Sequence, residues 1–304
     1  MSFDCYMFSV VIPAYNCAKT IVPAIESVLK QTRIDLIEEI LVINDGSTDD
    51  TEAVLRRYQT QSHAVPIRVF SQTNHGVSAT RNFGIRKAAV PWIALLDADD
   101  MWYPEKLERQ VELIQANPKI KLLGAKYPLT ILFDQKKGLV HISPQDLCIR
   151  SVYSTPSVVF EKAMGIRFGL FDETMQFSED LNFFQKFLSV DGCYVLGEEL
   201  VRIDCWKPYS GATGLSSHLR EMHEGRNRCA KELCAAGLIS PAFLRFILVF
   251  NEFKYLRRVS LCAMKRLFFE VFFWGGGLRE TSVRGAFRVQ GLIESQYTAL
   301  AATA

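Results

Sequence analysis

Three carboxylates fall within four positions in Asp97-Ala98-Asp99-Asp100, directly after the apolar run 92–96. A short apolar run bounded by polar residues reads as an interior strand of a parallel sheet. Asp97 and Asp99 are two apart, so a chain still extended at the strand end would turn both to one side. Charges of one sign that close repel unless a cation lies between them. The pattern therefore asks for a hard divalent ion held by oxygen ligands beside a substrate phosphate. A plainer reading has Asp99 or Asp100 capping the next helix, with Pro104 in its first turn.

Other polar groups stand in comparable places. Asn44-Asp45-Gly46-Ser47 follows the apolar run 39–43, and Pro13-Ala14-Tyr15-Asn16 follows 8–12. Asp45 can accept hydrogen bonds from a nucleobase or ribose, Gly46 permits a tight turn, and Tyr15 offers a flat ring for a base. Arg81, on a helix facing the same edge, could pair with a base carbonyl or a phosphate. Weaker signals surround these. His75 reads as structural or solvent-facing. His218 and His223 are five apart and face different ways on a helix, which argues against a metal pair. Trp102 could stack on a sugar, although packing is the commoner use.

The elements that must position these groups alternate. Strands are expected at 8–12, 39–43, 67–70 and 92–96, and helices at 18–30, to about 58, at 77–89 and at 104–116. Ser47 and Asp50 resemble a capping box for the second helix. Four such repeats imply a parallel sheet with helices on both faces, and such sheets bind ligands outside the carboxyl ends of their strands. There is no Gly-x-Gly-x-x-Gly after the first strand and no Gly-x4-Gly-Lys-Ser/Thr. Both absences argue against a dinucleotide oxidoreductase and a P-loop hydrolase. After Asn117-Pro118 the regularity breaks. Extended pieces at 120–127, 129–133, 139–142, 157–160, 193–196 and 199–203, a turn at 135–138 and a helix led by Glu179-Asp180 suggest an α+β half. It is expected to extend the same sheet and cover its ligand edge.

Taken in order, five motifs resemble those of the family 2 inverting glycosyltransferases. They are Val11-Ile12-Pro13-Ala14-Tyr15-Asn16, Ile43-Asn44-Asp45-Gly46-Ser47-Thr48-Asp49, Asn74-His75-Gly76 with Arg81-Asn82-Phe83-Gly84, Asp97-Ala98-Asp99-Asp100, and Glu179-Asp180. The resemblance runs over residues 7–215 and implies an α/β GT-A fold, a mostly parallel nucleotide-binding sheet flanked by helices. It implies that Pro13, Tyr15, Asp45 and Arg81 contact the nucleotide, with Ala14 and Ala98 in the same motifs lining its site. Asp97 would lie near the ribose, and Asp99 would hold a manganese or magnesium ion on the diphosphate. In the family's Glu-Asp motif the aspartate is the general base, here Asp180. The histidine that the family often carries in a loop over the diphosphate is absent from 206–217, where Lys207 can serve as the phosphate contact. The chemistry agrees, since breaking a sugar–diphosphate bond needs charge stabilised on the leaving group and a base for the acceptor hydroxyl. Capping with favourable helix-dipole charge remains the plain alternative for Glu179-Asp180.

The chain of 304 residues divides on this reading into a GT-A domain at 1–215 and a helical, basic and aromatic extension at 216–304. Pro241 marks a helix start, and 243–274 interleaves Phe and Leu with Arg245, Lys254, Arg257, Arg258, Lys265 and Arg266. Such a stretch, continued to about 290, suits either an anionic membrane surface or packing in a homodimer. A net charge of +2 gives no nucleic-acid signal. The eight cysteines form no Cys-x-x-Cys pair, which suggests buried reduced thiols. The start lacks a basic segment followed by an apolar one, and no apolar run reaches the roughly 20 residues of a membrane span. The expected place is the cytoplasm, at the inner face of the plasma membrane.

The function expected is metal-dependent transfer, with inversion, from a nucleotide-diphosphate sugar, UDP- rather than GDP-linked. The acceptor would be a saccharide hydroxyl, lipid-linked, in surface-polysaccharide or O-antigen synthesis. A nucleotidyltransferase that builds sugar nucleotides is the second reading, although it would carry a Gly-rich basic loop after the first strand. A non-catalytic nucleotide-sugar sensor or scaffold is the third, and the intact carboxylates speak against it.

Overall fold

The computed structural model of the chain describes residues 6–126, 138–150, 152–203 and 218–274, with side chains as far as residue 260. Its first half alternates β1 (Phe8–Ala14), α1 (Ile21–Leu29), β2 (Ile37–Asp45), α2 (Thr51–Gln59), β3 (Ile67–Gln72), α3 (Val77–Lys87) and β4 (Trp92–Leu95). β1 pairs in parallel with β2 and β4, and β2 with β3. Phe8, Val10 and Ile12 enter one core and Val11 the other; on β2, Ile40 and Val42 alternate with Leu41 and Ile43 in the same way. The near-continuous apolar strands thus serve a helical layer on each face.

The second half comprises β5 (Met101–Trp102), α4 (Lys106–Ala116), β6 (Leu122–Lys126), β7 (Leu139–His141), α5 (Pro144–Ile149), β8 (Val159–Glu161), α6 (Lys162–Arg167), α7 (Glu179–Gln185), β9 (Cys193–Glu199) and β10 (Val201–Arg202). It extends the first sheet to eight strands in the order β3-β2-β1-β4-β8-β6-β9-β7, in which β8 and β7 run against the rest. β5 and β10 form a separate antiparallel ribbon next to the carboxylate cluster.

Local expectations change at three points. β4 stops at Leu95, and Asp97–Asp100 close a turn in which Asp100 N–H donates to the Asp97 carbonyl at 3.1 Å. The chain is not extended there, so the alternation that would pair Asp97 with Asp99 does not apply. α4 begins at Lys106 behind Glu105, so neither Asp99 nor Asp100 caps it. Ser47 and Asp50 form no capping box, because the Ser47 hydroxyl instead donates to Asn44 Oδ1 at 2.6 Å. Trp102 is buried and donates its indole N–H to the Pro156 carbonyl at 2.8 Å, which removes it from the sugar-stacking candidates. Cys17, Cys193 and Cys229 are buried and free, and burial pushes the Cys17 thiol up to about 11 and that of Cys193 to about 12.

The chain ends in α8 (Leu219–Ala235) and α9 (Pro241–Trp274), the latter starting at the expected proline. Compact packing divides it into Met1–Glu252 and Phe253–Ala304. Within the first unit, Leu233 and Ile239 join the core that contains Phe183 and Phe187, while Phe246 and Val249 on α9 stay more than half exposed. In the second unit Phe253 and Leu256 are similarly exposed. Among the described residues, no helix is long and apolar enough to cross a membrane. The expected strand at 129–133, most of the 135–138 turn, the loop with Lys207 and the domain break after 215 lie outside the described residues.

Candidate active site

β2, β1 and β4 are neighbours in the sheet, so their carboxyl ends bring 44–47, 13–16 and 97–100 to one edge. The loops after β1 and β2 are stitched together. Asn16, held at φ 48°, donates its N–H to Ser47 Oγ at 3.0 Å and accepts from Thr48 N–H at 2.8 Å. Asp45 fastens the next loop: its carboxylate accepts from Gln72 Nε2 at 2.8 Å and from the His75 and Gly76 N–H groups at 2.9 Å each. A carboxylate has about four acceptor positions, so little capacity is left for a base. His75 is thus structural through its backbone, and its ring bonds only Thr73 Oγ1 among the hydrogen bonds seen, at 2.9 Å.

On the other side of β4 the site is charged. Arg81 is 4% exposed and donates through Nη2 to Asp97 Oδ1 at 2.8 Å and through Nη1 to Glu179 Oε1 at 3.0 Å. Its guanidinium lies 5.3 Å from the Phe171 ring centre, and its Nε–H is buried without a partner. α3 can present Arg81 there because Gly84, one turn on, lies against the sheet. A Cβ at Gly84 would come within 2.5 Å of Val11 Cγ1 and 2.7 Å of Ile43 Cδ1. Glu179 sits between opposing pulls. Burial and the neighbouring Asp180 charge push its carboxyl up to about 7, against the pull of Arg81. The field of Asp180 also reaches Arg81, which stays charged. Asp97, Arg81, Glu179 and Asp180 therefore form one electrostatic unit, a strand end joined to a helix start.

The expected residues fall into three groups. Asp97, Arg81 and Asp180 are brought together. Ala14 and Ala98 are buried at the edge and Tyr15 is 51% exposed there, while Pro13 is the penultimate residue of β1. Lys207 lies outside the described residues. Asp99 lies in the turn after β4, close enough to the β1 side for its charge to act on the Cys17 thiol. Among the described residues, no group of three or more His, Cys, Asp or Glu side chains is arranged to hold a metal alone. That set still fits a magnesium- or manganese-type ion, which needs one or two carboxylates and takes its remaining oxygens from water and phosphate. Glu179 has no separate role in the reading of the sequence. Its signal was a carboxylate set beside Asp180 and ahead of Phe183 and Phe184, a place for a buried partner. A cavity of about 430 Å³ lined by Asn82, Arg86, Asp172, Glu173, Asn182 and Lys186 includes none of the strand-end carboxylates. Its charges are engaged, Arg86 with Glu173 at 3.7 Å and Asp172 with Arg228 on α8 at 2.6 Å.

Comparison with known proteins adds to this geometry. The sequence pattern described as glycosyl transferase family 2 matches residues 9–175, more than half of the chain. A relative called an uncharacterized glycosyltransferase, from Rickettsia typhi, is 30% identical over 215 residues, 64% of this chain and 63% of the relative. The chain thus spans less than two thirds of the length of the curated relatives it matches first. Among solved structures, residues 1–349 of Staphylococcus aureus TarS superpose with a TM-score of 0.62 at 21% identity, over 83% of this chain and 73% of that one. A Pyrobaculum calidifontis mannosyltransferase, solved with GDP-Man and Mn2+, superposes with a TM-score of 0.61 at 15% identity, over 97% of this chain and 84% of that one. Both share the fold.

Proposed function

The chain belongs to glycosyl transferase family 2, and from that premise we propose that it transfers a sugar, with inversion, from a nucleotide-diphosphate sugar to a saccharide hydroxyl. The observation that carries this is the strand-end edge: Asp97 and Asp99 after β4, with Asp180 joined to Asp97 through Arg81 and Glu179. The nucleotide lies across the carboxyl ends of β1, β2 and β4, with Tyr15 as the exposed ring. Pro13, Ala14 and Ala98 form the floor. Asp45 acts by fixing the loop at His75 and Gly76 and has one acceptor position left for the base. Asp97 orients the ribose, and Arg81 sets Asp97 rather than touching the nucleotide itself. Lys207 is the phosphate contact.

Asp99 would hold the divalent ion, manganese or magnesium, whose chemistry is to stabilise the negative charge that collects on the departing diphosphate. Asp180 takes the acceptor hydroxyl's proton as that oxygen attacks the anomeric carbon from the face opposite the leaving group. One displacement of this kind inverts the centre and needs no covalent sugar–enzyme intermediate. Complexes of the structural neighbours support a sugar-nucleotide donor: TarS has been solved with UDP-GlcNAc and the mannosyltransferase with GDP-Man. We assign a UDP-sugar to this chain, with a lipid-linked acceptor in surface-polysaccharide synthesis at the inner face of the plasma membrane. The exposed apolar residues of α9 beside Arg245 and Arg257 favour that location over packing in a homodimer, because apolar and basic groups together suit an anionic bilayer.

The test is a panel of UDP- and GDP-sugars with manganese, followed by thermal shift and by release of nucleoside diphosphate. Asp180→Ala should lower transfer about 10²–10⁴-fold while leaving donor binding intact, the range a positioned base contributes. Asp99→Ala should weaken donor binding and make it insensitive to manganese. Full transfer by both variants would refute the mechanism, and pyrophosphate as product would favour the nucleotidyltransferase.

A further inference from the structure

Arg81 does more than neutralise one carboxylate. Its guanidinium is a rigid planar fork, and the two ends of the fork go to different elements, Asp97 after β4 and Glu179 at the start of α7. The Phe171 ring backs it. The α7 start is gripped from behind as well. Ser178 is held at φ 58°, in the left-handed region, and its hydroxyl donates to the Met222 carbonyl on α8 at 3.2 Å. α8 approaches so closely because residue 225 is glycine. A Cβ there would come within 2.7 Å of the Phe177 carbonyl and 2.9 Å of Ser178 Oγ. Asp180 follows one residue later, its own carboxylate folded onto the Leu181 N–H at 2.7 Å.

We infer that Glu179 is a positioning residue: through Arg81 it locks the Asp180 turn to Asp97, fixing the distance between the donor edge and the base. The inference rests on the function proposed above. Simple stability does not account for Glu179. It is 7% exposed beside another carboxylate, and a buried ion pair of this kind is commonly matched or bettered by apolar packing. Nor does it cap α7, whose start has no side-chain cap. What the charge adds is geometry, a clasp from one guanidinium to two elements whose apolar residues already share a core. Displacing a base by about 1 Å can cost about a hundredfold in rate.

The experiment is a double-mutant cycle on the full chain, Glu179→Gln and Arg81→Lys singly and together, using the panel sugar nucleotide that the wild type turns over. Lysine is a single point charge and cannot clasp both carboxylates. Each single variant should lose about ten- to a hundredfold in kcat, with donor KM within about twofold in Glu179→Gln, where Arg81 still holds Asp97, and the double variant should be no worse in kcat than Arg81→Lys alone. Melting temperatures report folding separately. An unchanged kcat in Glu179→Gln, a loss confined to donor KM, or losses that multiply in the double variant would overturn the inference while the wild type still transfers sugar. A wild type that releases nucleotide from no donor overturns the proposed function and this inference together.

Discussion

The two ends of the parallel sheet each bury a carboxylate against an arginine, and they do it differently. At the amino ends of the strands, Glu39 is 3% exposed and its oxygens are matched: Oε1 accepts from Ser9 Oγ at 2.9 Å and Ala89 N–H at 2.7 Å, and Oε2 from Arg68 at 2.7 Å. At the carboxyl ends, Arg81 is shared by Asp97 and Glu179, and Asp180 adds a third negative charge. One end is matched, and the other has acceptors to spare. A buried charge therefore does not by itself mark a site. Uncompensated charge does, because it is unfavourable unless a ligand, a proton or a metal completes it.

The sharpest way to break this contrast is at the matched end. Glu39→Gln leaves three donors facing an amide that can satisfy only part of them, so stability should fall by about 2 kcal/mol in urea unfolding. Turnover by the folded fraction should not change. A variant that kept its stability but lost activity would show that the two ends had been assigned the wrong way round.

Lys106 belongs to neither end and tests the rule that an unmatched buried charge is a cost. It is fully buried, hydrogen-bonded to Gln110 Oε1 at 2.9 Å and 4.0 Å from the Trp102 ring centre. Burial holds its ammonium well below the ordinary lysine value of 10.5. Between that lowered value and 10.5 the unfolded chain binds a proton that the folded chain does not, so wild-type stability rises with pH across the window. Lys106→Met abolishes this dependence. It should raise stability by about 1 kcal/mol at pH 7, and the advantage should shrink as pH approaches ten. A loss of stability at pH 7 would mean that the amine's contacts outweigh its desolvation.

Much of this was legible in the residues. Near-continuous apolar strands and strand–helix alternation gave the sheet and both helical layers, and turn residues after β1, β2 and β4 gave the edge. Asp97, Arg81 and Asp180 were singled out from type and order. What sequence could not supply was partnership across distance. Nothing local says that Arg81 faces Glu179, since that depends on Gly84 letting α3 down onto Val11 and on Gly225 letting α8 close over Ser178. Strand alternation does not apply to Asp97 and Asp99 for a related reason. Alternation holds only while a strand lasts, and β4 ends at Leu95. Ser47 looked like a cap because its spacing allowed it, but a nearer acceptor, Asn44 Oδ1, takes its hydroxyl.

The smallest effect bears most directly on the contrast. Glu179 has its folded pKa raised to about 7 from the ordinary 4.5, through burial and then Asp180, so it contributes stability at low pH that is lost as pH rises from 4.5 through about 7. Asp180→Asn removes the second cause and leaves the shape. Below that window Glu179 is protonated in both proteins and their stabilities should coincide. Above it the variant should be more stable, by about 0.5 kcal/mol, because it no longer sets a second negative charge beside the first. Melting curves at pH 4 and pH 8 measure this directly. A carboxylate whose removal stabilises the fold only where its neighbour is ionised is surplus charge of the kind the proposed base needs, whereas equal melting temperatures at both pH values would place Asp180 among the matched groups, with Glu39.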